Sequence, residues 1–229
     1  MPGLIDRTFA VLPLVADDFE VIVVNDGSQD NTDQVLLRLA ARYGPRLRVV
    51  RHVVNQGYGA AVRSGFRAAV KDYVFYTDGD AQYDITELPR LLAEIQPGTG
   101  LVNGYKISRS DVFYRILIGK GYLWTVRRLF GLKIRDVDCD FRVVKRSFLE
   151  KITLESTSGT ICVELVRKLQ DTGCGVVEVP VRHLPRLHGR SQFFRPKNLI
   201  QSLWQLAGLY CQLLFRRKSA APAVLCDMK

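Results

Sequence analysis

Short runs of consecutive apolar residues alternate along this chain with stretches in which apolar residues recur every three or four positions. The run Val21–Val24 is too short for a helix, is rich in β-branched residues, and ends in the turn signal Asn25-Asp26-Gly27-Ser28. A helical stretch follows, capped by Thr32 or Asp33, with Val35, Leu36, Leu39 and Ala40 on one face. The alternation repeats as a strand at 47–53, a small-residue helix at 59–70, a strand at 73–77 and a helix at 85–95. Strands interleaved with helices imply an α/β architecture, a mostly parallel sheet with helices on both faces. Ligands on such sheets sit at the carboxyl ends of the strands, where both "NDGS" and "DGDAQ" fall.

The two ends of the chain read differently. Residues 4–15 have helical spacing, with Leu4, Phe9, Val11, Leu12 and Val15 apolar, and they lead directly into the first strand. A sheet of this kind normally opens with a strand ahead of such a helix, and none precedes it here. Past residue 100 the pattern loosens. A strand is expected at 101–107, and residues 111–132 are apolar and aromatic, interleaved with Arg115, Lys120, Arg127 and Arg128. A loop, a short strand and a helix start fill 136–152; a helix at 161–173 and a strand at 175–181 follow, then a basic segment over 182–198. In the last helix, 199–215, Gln201, Gln205 and Gln212 form a narrow polar stripe on an otherwise apolar surface. Its length falls short of the roughly 20 residues needed to cross a bilayer. It reads as a helix lying in a membrane surface, or as one packed on the protein's own core or on a partner copy.

Composition narrows the partners. The 229 residues are 47% apolar and 24% charged, enough for one globular domain with a substantial core. Residues 1–100 hold 10 Lys/Arg and 13 Asp/Glu, whereas residues 101–229 hold 23 and 10, so the net charge of +10 comes from the second half. That half should face something anionic: phosphates or acidic lipid headgroups. No nucleic-acid-binding module is recognisable, because the basic residues are interleaved with aliphatic helices. Five cysteines without a CxxC pair suit reduced thiols, and Met1-Pro2-Gly3 opens no signal peptide. A cytoplasmic protein, peripheral on the inner face of a membrane, is the expectation.

The chemistry concentrates in "DYVFYTDGDAQYD", residues 72–84. Asp78 and Asp80 leave the strand one residue apart, with Gly79 between them and Gln82 beyond. Two carboxylates beside an apolar interior need a positive partner. Hard oxygen ligands in this number suit Mg²⁺ or Mn²⁺ completed by phosphate oxygens and water.

The segments "VIVVNDGSQDNT", "NQGYGAAVRSG", "TDGDAQYD", "DVDCDFRVVKR", "ELVRKLQDTGCGVVEVPVRH" and "PRLHGRSQFF" resemble, in order and spacing, the family 2 glycosyltransferases of the GT-A fold. Within that family the chain looks most like the dolichyl- and polyprenyl-phosphate sugar transferases, over residues 4–198. The resemblance implies a glycosyltransferase domain at 1–198, with a nucleotide-sugar half at 1–100, an acceptor half at 101–198, and an amphipathic helix and basic tail at 199–229. It implies an inverting transfer of a hexose from a UDP- or GDP-linked donor to a polyprenyl phosphate at an anionic membrane surface. Asp26 would contact the base or ribose; Asn55, Gly57 and Gly59, with Arg63, would shape the loop near the base. Asp78 and Asp80 match the family's metal-binding carboxylates, and Gln82 the polar residue after them. Asp140 would support the acceptor side and Arg142 would meet phosphate. His188, Arg190, Ser191 and Gln192 would close over the diphosphate.

Asn25 departs from the acidic residue usual at that position, and the family's opening strand is missing. Two alternatives therefore stay open. One is transfer to a saccharide or lipid hydroxyl with Asp140 or Asp138 as base; the other is a truncated nucleotide-sugar-binding protein without activity.

Overall fold

The computed structural model describes residues 2–107, 113–185 and 196–219. Helix α1 (Pro2–Val11) leads into strand β1 (Val21–Asp26), followed by α2 (Thr32–Tyr43), β2 (Leu47–His52), α3 (Tyr58–Ala68) and β3 (Tyr73–Thr77). Then come α4 (Leu88–Leu92), β4 (Thr99–Lys106), α5 (Phe113–Phe130), β5 (Phe141–Lys145), α6 (Arg146–Leu149), α7 (Thr160–Asp171), β6 (Gly175–Val181) and α8 (Pro196–Ser219). The expected α/β alternation is present throughout the first hundred residues.

The strands form two sheets. β1 and β2 pair in parallel, from Val21 opposite Leu47 to Asp26 opposite His52. The other four run in the order β3-β5-β4-β6. β1 and β3 are not hydrogen-bonded to each other, so the sheet is divided between them. Its central strand, β4, is buried along most of its length, whereas Val21–Val24 of β1 and Val74–Tyr76 of β3 are only half-buried. An inner strand flanked on both sides would be covered on both faces. The described residues ahead of β1 are helical, so the opening strand of the resembled family has no counterpart among them.

Side-chain packing holds the two sheets together across this division. Ile5 of α1 packs with Leu36, Leu39 and Leu47, while Val11, two turns on, packs with Ile85, Leu88 and Leu91 beside the larger sheet. Phe9 stacks on Tyr43 at 3.8 Å. From the other face, Tyr58, Val62 and Phe66 of α3 reach the main core formed by α5, α7, Leu101 and Val144.

Strand β5 runs antiparallel to both of its neighbours, against the direction expected for a mostly parallel sheet. The cause lies in the connection. After β4 the chain passes through α5 and returns along 131–140 to the end of the sheet it had just left. There Asn103 Nδ2 donates to the Asp136 carbonyl at 3.0 Å and Lys106 Nζ to the Asp138 carbonyl at 2.7 Å. A strand entered from that end can only run back.

One segment, 153–158, ties α3, α7 and α8 together. Glu164, on α7 and 1% exposed, accepts from Lys168 at 2.5 Å and from the amides of Glu155 and Ser156 at 2.9 and 2.8 Å. Lys168 also donates to the Thr153 carbonyl at 2.6 Å. Burial pushes the Glu164 carboxyl up, but the Lys168 and Ser156 hydrogen bonds overcome it and hold it below the ordinary glutamate range. Its contribution to stability is therefore fully present above the unfolded value of about 4.3 and lost as pH falls through the lower folded value. Glu164→Gln leaves Lys168 buried and unpaired, and should destabilise the fold by about 3 kcal/mol at neutral pH. Urea unfolding followed by circular dichroism should show that deficit shrinking below about pH 4, where the parent loses the same charge.

Candidate active site

The register of β3 on β5 builds the centre. Thr77 lies opposite Phe141, so Asp78, one residue past Thr77, and Asp140, one residue before Phe141, leave the paired strands at the same place. The neighbouring register pair is Tyr76 with Arg142. Arg142 is fully buried; its Nη1 donates to the Tyr76 hydroxyl at 2.9 Å, and its other Nη donates to the Val137 carbonyl. The Tyr76 hydroxyl in turn donates to Asp140 Oδ1 at 3.3 Å, and the Cys162 thiol donates to the same oxygen at 3.2 Å. Arg142 thus orients Tyr76 and the 137–140 loop from inside the core. The resemblance sets an arginine against phosphate, but this guanidinium is shielded from the open site.

Carboxylates crowd here. Burial, then the charges of Asp140 and Asp80, push Asp78 up to about 8. Asp138, half-buried nearby, is pushed up to about 6 by desolvation against the opposing pull of Lys106. The Tyr58 hydroxyl is buried near Asp140 and Asp78 without a hydrogen bond of ordinary geometry, and the Thr77 hydroxyl is likewise unmatched. Excess negative charge beside unmatched polar groups fits a missing cation. Among the described residues no three His, Cys, Asp or Glu side chains converge as a closed metal cage. Mg²⁺ and Mn²⁺ need only one or two carboxylates when a diphosphate and water complete the shell, so Asp78 and Asp80 fit that chemistry.

The turn after Asp78 is specialised. Asp80 Oδ1 accepts from the Gln82 amide at 3.0 Å, and Ala81 between them has φ of +59°, a backbone conformation that costs a residue with a Cβ. Gln82 Nε2 donates to the Leu184 carbonyl at 3.1 Å, and the Leu184 amide donates to the Gln82 carbonyl at 2.7 Å. The chain that leads into the basic segment is therefore fastened to the carboxylate turn. His188, Arg190, Ser191 and Gln192 themselves lie outside the described residues.

The "NDGS" and "NQGYG" segments form a second cluster, held largely by its own hydrogen bonds. Asp26 Oδ1 accepts from His52 Nδ1 at 2.6 Å and from the Gln56 amide at 2.8 Å; Oδ2 accepts from the Gly57 amide at 2.9 Å. Asn55 Nδ2 donates to the Asp26 carbonyl at 3.1 Å. Asn25 is buried, donating to Asp33 at 2.8 Å and accepting from the Ser28 amide at 3.0 Å. These side chains set the shape of the loops before they offer anything to a ligand. His52 was invisible to motif reasoning, although its register position opposite Asp26 gives it away once the strands are paired.

Gly57, Gly59 and Arg63 all meet the 153–158 segment. A Cβ on Gly57 would come within 2.5 Å of the Thr157 carbonyl oxygen, and one on Gly59 within 2.4 Å of that of Ser156. The Gly59 amide donates to the Thr157 carbonyl at 2.9 Å, and Arg63 Nη1 to the Glu155 carbonyl at 2.6 Å. From the far side Gln205 of α8 grips the same strap. Its Oε1 accepts from the Thr157 and Ser158 amides at 3.1 and 3.0 Å and from the Ser158 hydroxyl at 2.8 Å, while Nε2 donates to the Thr157 hydroxyl at 2.7 Å.

Comparison with known proteins supplies the lineage. The profile described as Glycosyl transferase family 2 matches residues 3–153. An undecaprenyl-phosphate 4-deoxy-4-formamido-L-arabinose transferase of Pseudomonas fluorescens (strain Pf0-1) is 29% identical over 90% of this chain, and the transferase of the same name from Pectobacterium atrosepticum is 28% identical over 84%. The alignments span 59% and 58% of those relatives' own lengths. Among solved structures, the mannosyltransferase PcManGT of Pyrobaculum calidifontis, in complex with GDP-Man and Mn²⁺, superposes with a TM-score of 0.62 at 20% identity, covering 89% of this chain and 59% of that one. Glucosyl-3-phosphoglycerate synthase of Mycobacterium tuberculosis, in complex with Mn²⁺, UDP-Glc and phosphoglyceric acid, gives 0.62 at 19% identity, covering 90% and 73%. These neighbours support the fold, and the profile match over most of the chain supports the family: the chain belongs to glycosyl transferase family 2 and has the GT-A architecture.

Proposed function

We propose that this domain transfers a hexose from a UDP- or GDP-linked donor to a polyprenyl phosphate, with inversion, using Mg²⁺ or Mn²⁺ held by Asp78 and Asp80. The observation that carries the reading is the β3–β5 register, which crowds Asp78, Asp80 and Asp140 until one carboxyl keeps its proton near neutral pH. The relatives named for undecaprenyl-phosphate transfer, and the neighbours crystallised with Mn²⁺ and sugar nucleotides, support the choice of acceptor, donor and metal.

A bound divalent cation would neutralise the charge that grows on the departing nucleoside diphosphate. The chain's own residues have positioning work. Asp26, His52 and Asn55 hold the loop before α3 for the nucleotide. Asp140, fixed by Tyr76 and Cys162, flanks the acceptor side. A phosphate acceptor is already ionised at neutral pH, so its oxygen needs no strong base and orientation dominates the rate. An acceptor hydroxyl would need one, and Asp138, pushed up to about 6, keeps that reading alive. Asp138→Asn and Asp140→Asn separate the two: abolished transfer with surviving donor hydrolysis points to the hydroxyl acceptor.

Asp78→Asn and Asp80→Asn should each lower sugar transfer by at least about a hundredfold. Calorimetry of UDP and GDP binding with Mn²⁺ and with EDTA should show that both variants lose the metal-dependent part. Equal binding by the folded parent with and without metal defeats the proposal.

Gln205 acts as a positioning residue in this scheme, through the strap that meets Gly57, Gly59 and Arg63. Gln205→Leu should raise the donor KM by about tenfold with a smaller change in kcat, because several hydrogen bonds of about 1 kcal/mol each are lost remotely from the reacting atoms. Gln205→Glu keeps an acceptor for the three donors of Thr157 and Ser158, and should restore most of the affinity.

A further inference from the structure

Helix α8 is apolar on the side that packs on the core and also along a stripe that faces away from it. Its inward side carries Gln205 together with Leu206, Leu209, Tyr210 and Leu213, which pack on the main core. Gln201 and Gln212 also turn to the protein, donating to the Thr157 hydroxyl at 3.3 Å and to Glu155 at 3.4 Å. The stripe left outside is apolar. Ile200 is 68% exposed, Leu203 64% and Trp204 81%, and exposed Ala207, Gly208 and Cys211 continue the same face along successive turns. Nothing in the described residues covers it. Large unpaired apolar side chains on one continuous helix face mark an interaction surface.

Charge selects the partner. The α8 sequence contains no Asp or Glu, and has Lys197 in its first turn and Arg216, Arg217 and Lys218 in its last. On the adjoining helix α5, whose Phe130 ring meets that of Tyr210 edge-on at 5.9 Å, Trp124 is 68% exposed and Leu129 51%, and Arg127 and Arg128 are exposed beside them. A second copy of the chain docked here about a two-fold axis would set cations against cations. An anionic lipid surface meets the same cations with opposite charge and receives the tryptophans at headgroup depth, where such rings are favoured. No helix among the described residues is long and apolar enough to cross a membrane. At 24 residues α8 extends about 36 Å, a length suited to lying along the interface.

We propose that the outward stripe of α8, centred on Ile200, Leu203 and Trp204, docks on an anionic bilayer. The helix that grips the 153–158 strap from within is then also the contact with the membrane. This deepens the transferase reading by naming the face turned to the lipid that carries the acceptor, and docking itself can be measured without any transfer.

The test uses the full chain and flotation with two kinds of vesicle, phosphatidylcholine alone and phosphatidylcholine mixed with phosphatidylglycerol. The parent should float with the mixed vesicles, and binding should weaken at high salt. The Trp204 emission, read in a Trp124→Phe background, should shift to the blue on binding. The double variant Leu203→Gln, Trp204→Gln changes only exposed side chains, so its melting temperature should match the parent's. Its vesicle partition should fall by at least about tenfold, the loss of two interfacial apolar anchors. Transfer to a short-chain, water-soluble polyprenyl phosphate should be unaffected, while transfer to a long-chain acceptor embedded in vesicles should drop with the partition. Vesicle binding equal to the parent's overturns the proposal. A concentration-dependent dimer of the parent that the double variant dissolves, with no vesicle binding, also overturns it and assigns the stripe to a second copy. A parent that binds vesicles through the stripe but transfers no sugar leaves docking standing and defeats the transferase reading.

Discussion

The antiparallel pairing of β5 with β3 is the constraint on which the rest of the site depends. Parallel strands in this sheet bring carboxyl ends together, and a loop leaving one such end would meet only other loops. By running backwards, β5 delivers the residue before its first position, Asp140, to the place where β3 releases Asp78. Neighbouring backbones thereby force like charges together at a depth where water cannot screen them well. The fold tolerates this because Arg142, Tyr76 and Lys106 stand beside the cluster, and in the proposed reaction a cation with its diphosphate would offset the rest. An arrangement that is electrostatically poor when empty is well suited to gripping a dication with its anionic ligand.

A second constraint acts through the 153–158 strap. It has no regular structure, yet Glu164 binds its amides from α7, Gln205 binds them from α8, and Gly57, Gly59 and Arg63 receive its carbonyls on α3. Backbone amides and carbonyls in an irregular, half-buried segment must find partners where water does not reach, and here almost every partner comes from a different element. Displacing any one of the three helices therefore disturbs the start of α3, whose leading residues Gln56 and Gly57 are held by Asp26.

Much of this was legible in the sequence. The apolar runs and helical periods located the strands and helices of the first hundred residues, because each is a local pattern with its own turn chemistry. "NDGS" and "DGDAQ" announced themselves as loops at strand ends. What stayed hidden depended on pairing. The reversed β5 follows from where the chain re-enters the sheet, which no periodicity records. Asp26 looked like a ligand contact by motif, but its carboxylate is engaged by His52, Gln56 and Gly57, partners 26 to 31 residues away. Gly57 and Gly59 were visible as glycines but not as the seats of Thr157 and Ser156, almost a hundred residues on. The helix ahead of β1, in contrast, was readable from the spacing of residues 4–15, and among the described residues no strand lies between β1 and β3.

The last helix shows why a polar stripe alone does not give orientation. Gln201, Gln205 and Gln212 read from spacing as a narrow polar stripe on an otherwise apolar helix, with its orientation left open. In the fold Gln205 points inward, because the strap beneath offers amides and hydroxyls that one amide side chain satisfies as donor and acceptor together, while Gln201 and Gln212 stay exposed at its edge. A buried amide left unmatched costs more than an exposed leucine, so Gln205 shares the inner face with Leu206, Leu209 and Leu213, and Leu203 and Trp204 are left outside. The rotation of α8 about its axis is thus fixed by hydrogen bonding within the domain as well as by packing. The exposed apolar stripe on the outer side is its consequence, and Gln205 links the helix that carries that stripe to the loop at the start of α3.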